Sequence, residues 1–328
     1  MKRKQQFLQG TIAAAGFLVL IFDSSLALEG AGSGITLCIQ TVIPSLFPFF
    51  VLSMILTNAL ADCRAYPLQK IAAILGIPQR AAAVLIPSVL GGYPVGAKSV
   101  ADLYQRKQIG RKEAERMLAF CNNAGPAFLF GMVSGFFPDK LMIWQLWFIH
   151  LLSAALTALS IPAMKTSAAM HPAETKSVAV PIIQSSAKAM GLVCSWVILF
   201  RIILAFLESW FLWILPGWLQ VFLVGALELT NGCCELLMIP DVKLRFVLCA
   251  CMLGFGGICV FLQTVSVAEG LSLRYYLKGK LLQTGFSFLL GCMIVTDHGM
   301  VIATAIPIFV LILRKKQNRY GNPGILPV

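Results

Sequence analysis

Six side chains capable of polar chemistry stand in otherwise apolar stretches: Tyr93, Asn122, Asn123, Glu228, Asn231 and Gln263. Amides and carboxylates without partners are costly in hydrocarbon, so each must meet protein or ligand. Glu228, with Asn231 three residues on, is the first choice for coupling or cation contact, because an ionisable group at membrane depth points to function. Its alternatives are a carboxylate near the outer surface, or a partner for Arg201, which also lies in an apolar run. Asn122 and Asn123 are adjacent and point in different directions, so at least one faces the interior, bonding either backbone or ligand. Gln263 ranks below these, and His150 reads as a packing or hydrogen-bonding side chain.

Other chemistries find less support. Residues 91 to 99, Gly-Gly-Tyr-Pro-Val-Gly-Ala-Lys-Ser, come close to a phosphate-binding loop, but Ala97 puts Lys98 out of register and Pro94 removes an amide that would cradle phosphate. No Ser/His/Asp, His-Glu-x-x-His or paired-aspartate arrangement occurs in the apolar runs, so an enzyme is not expected. The ten cysteines form no C-x-x-C pair and read as small buried hydrophobes, so neither metal nor cofactor is expected.

What must position the six residues is a membrane architecture. The 328 residues are 58% hydrophobic and only 12% charged, too little polar surface for a soluble globule of this size. Lys and Arg, 26 against 14 acidic residues, fall in short clusters between apolar runs. That is the positive-inside pattern rather than a nucleic-acid groove, and no nucleic-acid partner is expected.

A spanning helix needs about 20 mostly apolar residues. Such runs are expected near 7 to 28, 35 to 60, 117 to 137, 141 to 163, 189 to 207, 245 to 265, 281 to 297 and 299 to 313. The first resembles a signal peptide but is read as an uncleaved span. Between Ala81 and Ala97 the chain is apolar but interrupted by Pro87, Gly91, Gly92, Pro94 and Gly96, which predicts a re-entrant hairpin. A second hairpin is expected in the latter part of Trp210 to Ile239, around Gly225, Glu228, Asn231 and Gly232. Residues 98 to 116 read as short amphipathic helices at the cytoplasmic surface.

With both termini cytoplasmic, the basic clusters at Lys2, Arg3 and Lys4, at 64 to 80, 98 to 116, 165 to 188, 274 to 280 and in the tail all fall inside. The order span, hairpin, span, span then occurs twice in opposite orientation, over 35 to 163 and 189 to 297. Residues 92 to 96 echo 228 to 232, and residues 122 to 126 echo 254 to 258. The expectation is an all-α polytopic membrane protein of about eight transmembrane helices plus two re-entrant hairpins, arranged as an inverted repeat. An N-terminal helix (1–34), a cytoplasmic connector (164–188), and a last helix with a basic tail (298–328) complete it. Gly92, Pro94, Gly96, Gly125, Pro126, Gly232, Gly256 and Gly257 are the positions expected to break or kink the helices. Secondary transporters build midplane sites from such discontinuous helices.

Gly92-Tyr93-Pro94-Val95-Gly96-Ala97-Lys98, Arg111-Lys112-Glu113-Ala114-Glu115-Arg116 and Phe120-Cys121-Asn122-Asn123-Ala124-Gly125-Pro126 resemble the YlbJ-type sporulation integral membrane proteins. So do Gly225-Ala226-Leu227-Glu228-Leu229-Thr230, Leu253-Gly254-Phe255-Gly256-Gly257 and Gly279-Lys280-Leu281-Leu282-Gln283, and the likeness covers roughly residues 30 to 295. That group is similar to the nucleoside-recognition, or Gate, domain membrane proteins, which include nucleoside transporters and the membrane part of the bacterial ferrous-iron transporter. The resemblance implies a permease-like fold, two Gate-like repeats and a role in sporulation, without naming a solute. The partners expected are membrane lipid, an unidentified small polar solute and, among proteins, further copies of the chain or sporulation membrane proteins. The rival from another class is a non-transporting scaffold for spore-envelope assembly, with the basic 98 to 116 surface as its recruiting face.

Overall fold

The computed structural model describes residues 2–60, 66–163 and 179–296, all helix, turn or irregular chain with no strand among them. Helix α1 (Lys2–Phe22) stops at Asp23, whose Oδ1 accepts from Leu26 N at 3.1 Å and so starts α2 (Ser24–Leu37). A π-helical turn (Cys38–Val42) joins α2 to α3 (Ile43–Leu60). Because the interruption falls at Asp23 rather than near residue 30, the expected spans 7 to 28 and 35 to 60 are redrawn. The long apolar run is Ser24–Leu56.

Three further runs are long and apolar enough to cross a membrane: Lys140–Ser160, Ile182–Trp210 and Val242–Val267. A fifth arises if Pro67–Ile74 and Gln79–Leu90, bent by 101° at the turn between them, count as one broken span. The described residues therefore hold four or five such runs where seven of the eight spans were expected, and the eighth, at 299 to 313, lies outside them together with the tail and most of the connector. The run expected over 117 to 137 is not a helix that crosses. Helix α7 (Arg111–Leu118) ends there, residues 121 to 125 are non-helical, and a π turn (Ala127–Met132) and a 3-10 turn (Val133–Phe136) follow. Gly125 weakens helix and Pro126 removes an amide, so local sequence wins over apolar length.

Both hairpins form. A 3-10 turn (Gln79–Val84) and α5 (Leu85–Leu90) enter, residues 91 to 94 break the helix, and α6 (Val95–Gln105) returns against them. Helix α4 (Tyr66–Ile74) leads into this unit. In the second, α10 (Gly217–Leu227) packs on α11 (Leu229–Glu235) after a break at Glu228. Helices α8 (Lys140–Ser160), α12 (Val242–Phe255) and α14 (Arg274–Val295) pack together around a core that includes Ile143, Leu146, Phe246, Leu253 and Phe286.

Helix α9 (Ala179–Trp210) lies along α2. Gly30 and Gly34 make that approach close: a Cβ at either would sit 2.9 Å from a Cα of α9, that of Ile202 or Ile198. Small residues four apart permit helices to approach in lipid, where dispersion rather than hydrophobic expulsion holds them together.

Candidate functional site

The helix breaks converge. Gly92, at φ +73°, lies so close to Gly125 that a Cβ on Gly125 would meet Gly92 N at 2.9 Å and Gly92 Cα at 3.0 Å. The two breaks of the first half thus touch backbone to backbone. In the second half α12 gives way to α13 (Gly257–Val267) through Gly256 and Gly257, at φ +83° and +86°, where an L side chain is strained. A Cβ on Gly257 would sit 3.2 to 3.3 Å from Gly225 O, Leu227 O and Leu229 N, at the break of the second hairpin.

Tyr93 links the halves. Its hydroxyl donates to Leu253 O at 2.9 Å, and its ring lies against Gly256. The Tyr93–Pro94 peptide is cis.

A cavity of about 50 Å³ opens at this meeting point, bordered by Ser45, Tyr93, Phe128, Val197, Glu228 and Gln263. On that measure one water needs roughly 10–15 Å³, so the cavity admits a few waters or a ligand of a few heavy atoms. Tyr93, Glu228 and Gln263 therefore share one space. Asn122, Asn123 and Asn231 do not border it; they hold its walls.

Glu228 caps α11: one carboxylate oxygen accepts from Asn231 N at 2.7 Å and from Asn231 Nδ2 at 2.8 Å. Its pairing with Arg201 does not occur. Arg201 bonds Glu208 at 2.9 Å and Ser33 Oγ at 3.2 Å. Glu228 is 2% exposed, so protein rather than solvent surrounds its carboxylate. Gln263 donates to the Cys259 thiol at 3.3 Å, a weak acceptor.

Beside the cavity a polar network ties the 121 to 125 segment in place. Asn122 Nδ2 donates to Thr264 Oγ1 at 3.0 Å, and Asn122 Oδ1 accepts from Ala97 N at 3.3 Å. Asn123 Nδ2 donates to Phe120 O at 2.8 Å and Ser88 Oγ at 3.3 Å, while Asn123 Oδ1 accepts from Gln283 Nε2 at 3.0 Å. His150 Nε2 accepts from Ala124 N at 3.0 Å, the hydrogen-bonding part expected of it. These amides do the backbone work that was one of their two readings.

Two members of this network escaped sequence reasoning. Lys280 was placed in a cytoplasmic basic cluster, yet it is 1% exposed. Its ammonium donates to Asn122 O at 2.5 Å and Gln283 Oε1 at 2.9 Å and sits 5.0 Å from the Tyr93 ring centroid. Gln283 completes the chain to Asn123. The signal available was their spacing: residues three apart share a helix face, so both point from α14 into the same interior. Arg116, also assigned to the basic surface, is 3% exposed and clamps two helix ends. It donates to Leu75 O, Gly76 O, Ala158 O and Ile161 O at 2.8 to 3.2 Å, beyond the C-terminus of α4 and at that of α8.

Arg111 does remain at the surface. It pairs with Glu115 at 2.8 Å, which holds the guanidinium above its ordinary range, and Glu115 also accepts from Ser272 N at 2.9 Å.

The chain is similar to the sporulation integral membrane protein YlbJ of Bacillus subtilis (strain 168). The two are 27% identical, and the match covers 75% of this chain and 72% of that protein. No protein-family profile and no solved structure matches. The similarity supports the YlbJ-type likeness carried by the motifs of both halves; the wider Gate grouping rests on those motifs alone.

Proposed function

We propose that this chain is a multi-pass sporulation membrane protein that binds and moves a small polar solute where its broken helices meet, with both termini on the cytoplasmic side. The observation that carries the reading is the cavity shared by Tyr93, Glu228 and Gln263 at the convergence of the hairpin breaks. Irregular backbone at membrane depth is tolerated only where protein buries it or where it lines a wet cavity, and transporters with inverted repeats place their sites at such breaks. The similarity to a sporulation membrane protein supports the cellular role. The echo between the two hairpin tips supports the inverted repeat.

At about 50 Å³ the cavity is too small for a nucleoside, so a nucleoside-like solute requires the hairpins to part. The experiment is a thermal-unfolding screen of the purified protein against neutral, cationic and anionic solutes, since a ligand stabilises the folded state according to its occupancy. Hits are then tested for uptake into proteoliposomes. Gln263→Leu should abolish the shift and the uptake while leaving the unliganded protein folded. A variant that keeps both refutes the site.

The scaffold reading has its own observation: Arg106, Lys107 and Lys112 are exposed around the α6–α7 turn. Reversing their charge should leave solute binding intact and disable only a recruiting surface.

A further inference from the structure

The chemistry of the cavity wall narrows the solute. Glu228 is buried and borders the cavity, and the two bonds to its carboxylate described above come from neutral donors on Asn231. Among the described residues, none of the side chains bordering the cavity is basic. Arg201 and Lys280 bond other groups: Arg201 bonds Glu208 and Ser33 Oγ, and Lys280 bonds Asn122 O and Gln283 Oε1. Two helix ends oppose each other at this break, the carbonyl pole of α10 at Leu227 and the amide pole of α11, which the Glu228 carboxylate caps without a full positive charge beside it.

A buried carboxylate without a counter-charge carries a desolvation cost that a cationic ligand would offset. The remaining wall suits one kind of cation. Ser45 and Gln263 supply oxygen acceptors and Phe128 an aromatic ring, which attracts ammonium groups, while the Tyr93 ring already faces the Lys280 ammonium at 5.0 Å. A bare alkali ion or divalent metal demands a near-complete oxygen shell, which this mixed aromatic and apolar wall does not offer. Among the described residues no group of three or more His, Cys, Asp or Glu side chains is placed to hold a metal.

We infer that the solute of this cavity is a small protonated amine of a few heavy atoms, with Glu228 as its counter-charge and Gln263 as a hydrogen-bond acceptor. The inference rests on the proposed solute site and gives it a substrate class. The space of about 50 Å³ sets the size limit, which methylammonium and ethanolammonium satisfy.

The test is thermal unfolding of the full chain in detergent with methylammonium or ethanolammonium chloride, against sodium chloride, potassium chloride, sodium acetate and ethanol at matched concentrations. The expected result is a saturable rise in midpoint with the two ammonium salts beyond that of sodium or potassium. Glu228→Gln keeps an oxygen that can cap α11 and should weaken the ammonium response at least tenfold. Should that variant fail to fold, Gln263→Lys provides a second measurement: it places a fixed ammonium beside Glu228 and should abolish the response. Equal shifts with sodium, potassium and ammonium, or an ammonium shift that survives Gln263→Lys, overturn the inference. A neutral solute that stabilises through Gln263 while the amines do nothing overturns it too, yet leaves the proposed site standing. No shift from any solute removes both.

Discussion

Arg116 offers the sharpest test of how this membrane fold is held. Replacing it with Met keeps the length of the stem and removes the guanidinium. Five N–H···O contacts of 2.8 to 3.2 Å are lost, leaving four carbonyls at two helix ends, those of Leu75, Gly76, Ala158 and Ile161. All four residues border a cavity of about 450 Å³, so water can reach the orphaned groups and the desolvation penalty is not felt in full. At a net ~0.5–1.5 kcal/mol for each bond exchanged for water, the gross loss is several kcal/mol. Relief from burying a guanidinium offsets part of it. Loss of a cation at the two C-terminal dipoles adds ~0.3–1 kcal/mol each.

The expected outcome is destabilisation of about 2–4 kcal/mol, read as a lower midpoint in thermal unfolding of the detergent-solubilised protein. Arg116→Lys should recover less than half of the loss, because one ammonium has three donors and no planar fork to span two helix ends. A Met variant that unfolds at the wild-type midpoint would refute the clamp. So would a Lys variant equal to wild type, since it would show that charge alone suffices.

The remaining predictions use the same assay with different controls. Gly30→Ala and Gly34→Ala each place a Cβ 2.9 Å from a Cα of α9 and should cost about 1–3 kcal/mol, whereas Gly191→Ala, with nothing within 4 Å, should be neutral or gain up to ~1 kcal/mol of helix propensity. Equal effects at the three sites would show that α2 and α9 do not pack closely. Gln283→Leu removes the Oε1 that accepts from Lys280 and the Nε2 that donates to Asn123, so a loss of about 2–4 kcal/mol is expected; an unchanged midpoint would mean that Lys280 is not held by this network. Glu228→Ala, which removes the cap of α11, should unfold more easily than Glu228→Gln by about 1 kcal/mol, and the reverse order would deny the carboxylate its capping role.

The sequence by itself determined what depends on local composition. Apolar length identified the runs of α8, α9 and α12–α13, and the clustered Gly and Pro residues located both hairpins and the Gly256–Gly257 kink. It also picked Tyr93, Glu228 and Gln263, because a polar group in an apolar run is visible without coordinates. It failed where apolar content and helical continuity part company. Residues 117 to 137 are hydrophobic enough to span, yet Gly125 and Pro126 leave the segment broken. Charge counting failed for Lys280 and Arg116, because a sequence window gives a residue's depth only on average and says nothing of which face it occupies.

Only the tertiary structure decided which polar residues meet. Asn122 and Asn123 turn toward Thr264, Gln283 and Ser88, more than thirty residues away or on the other half of the chain, while Glu228 turns to its own helix end and the cavity. The physical reason is that breaks fix their own positions along the chain through local backbone chemistry. Their partners are chosen by how helices α6, α12, α13 and α14 pack, and that packing is a long-range balance no local pattern encodes.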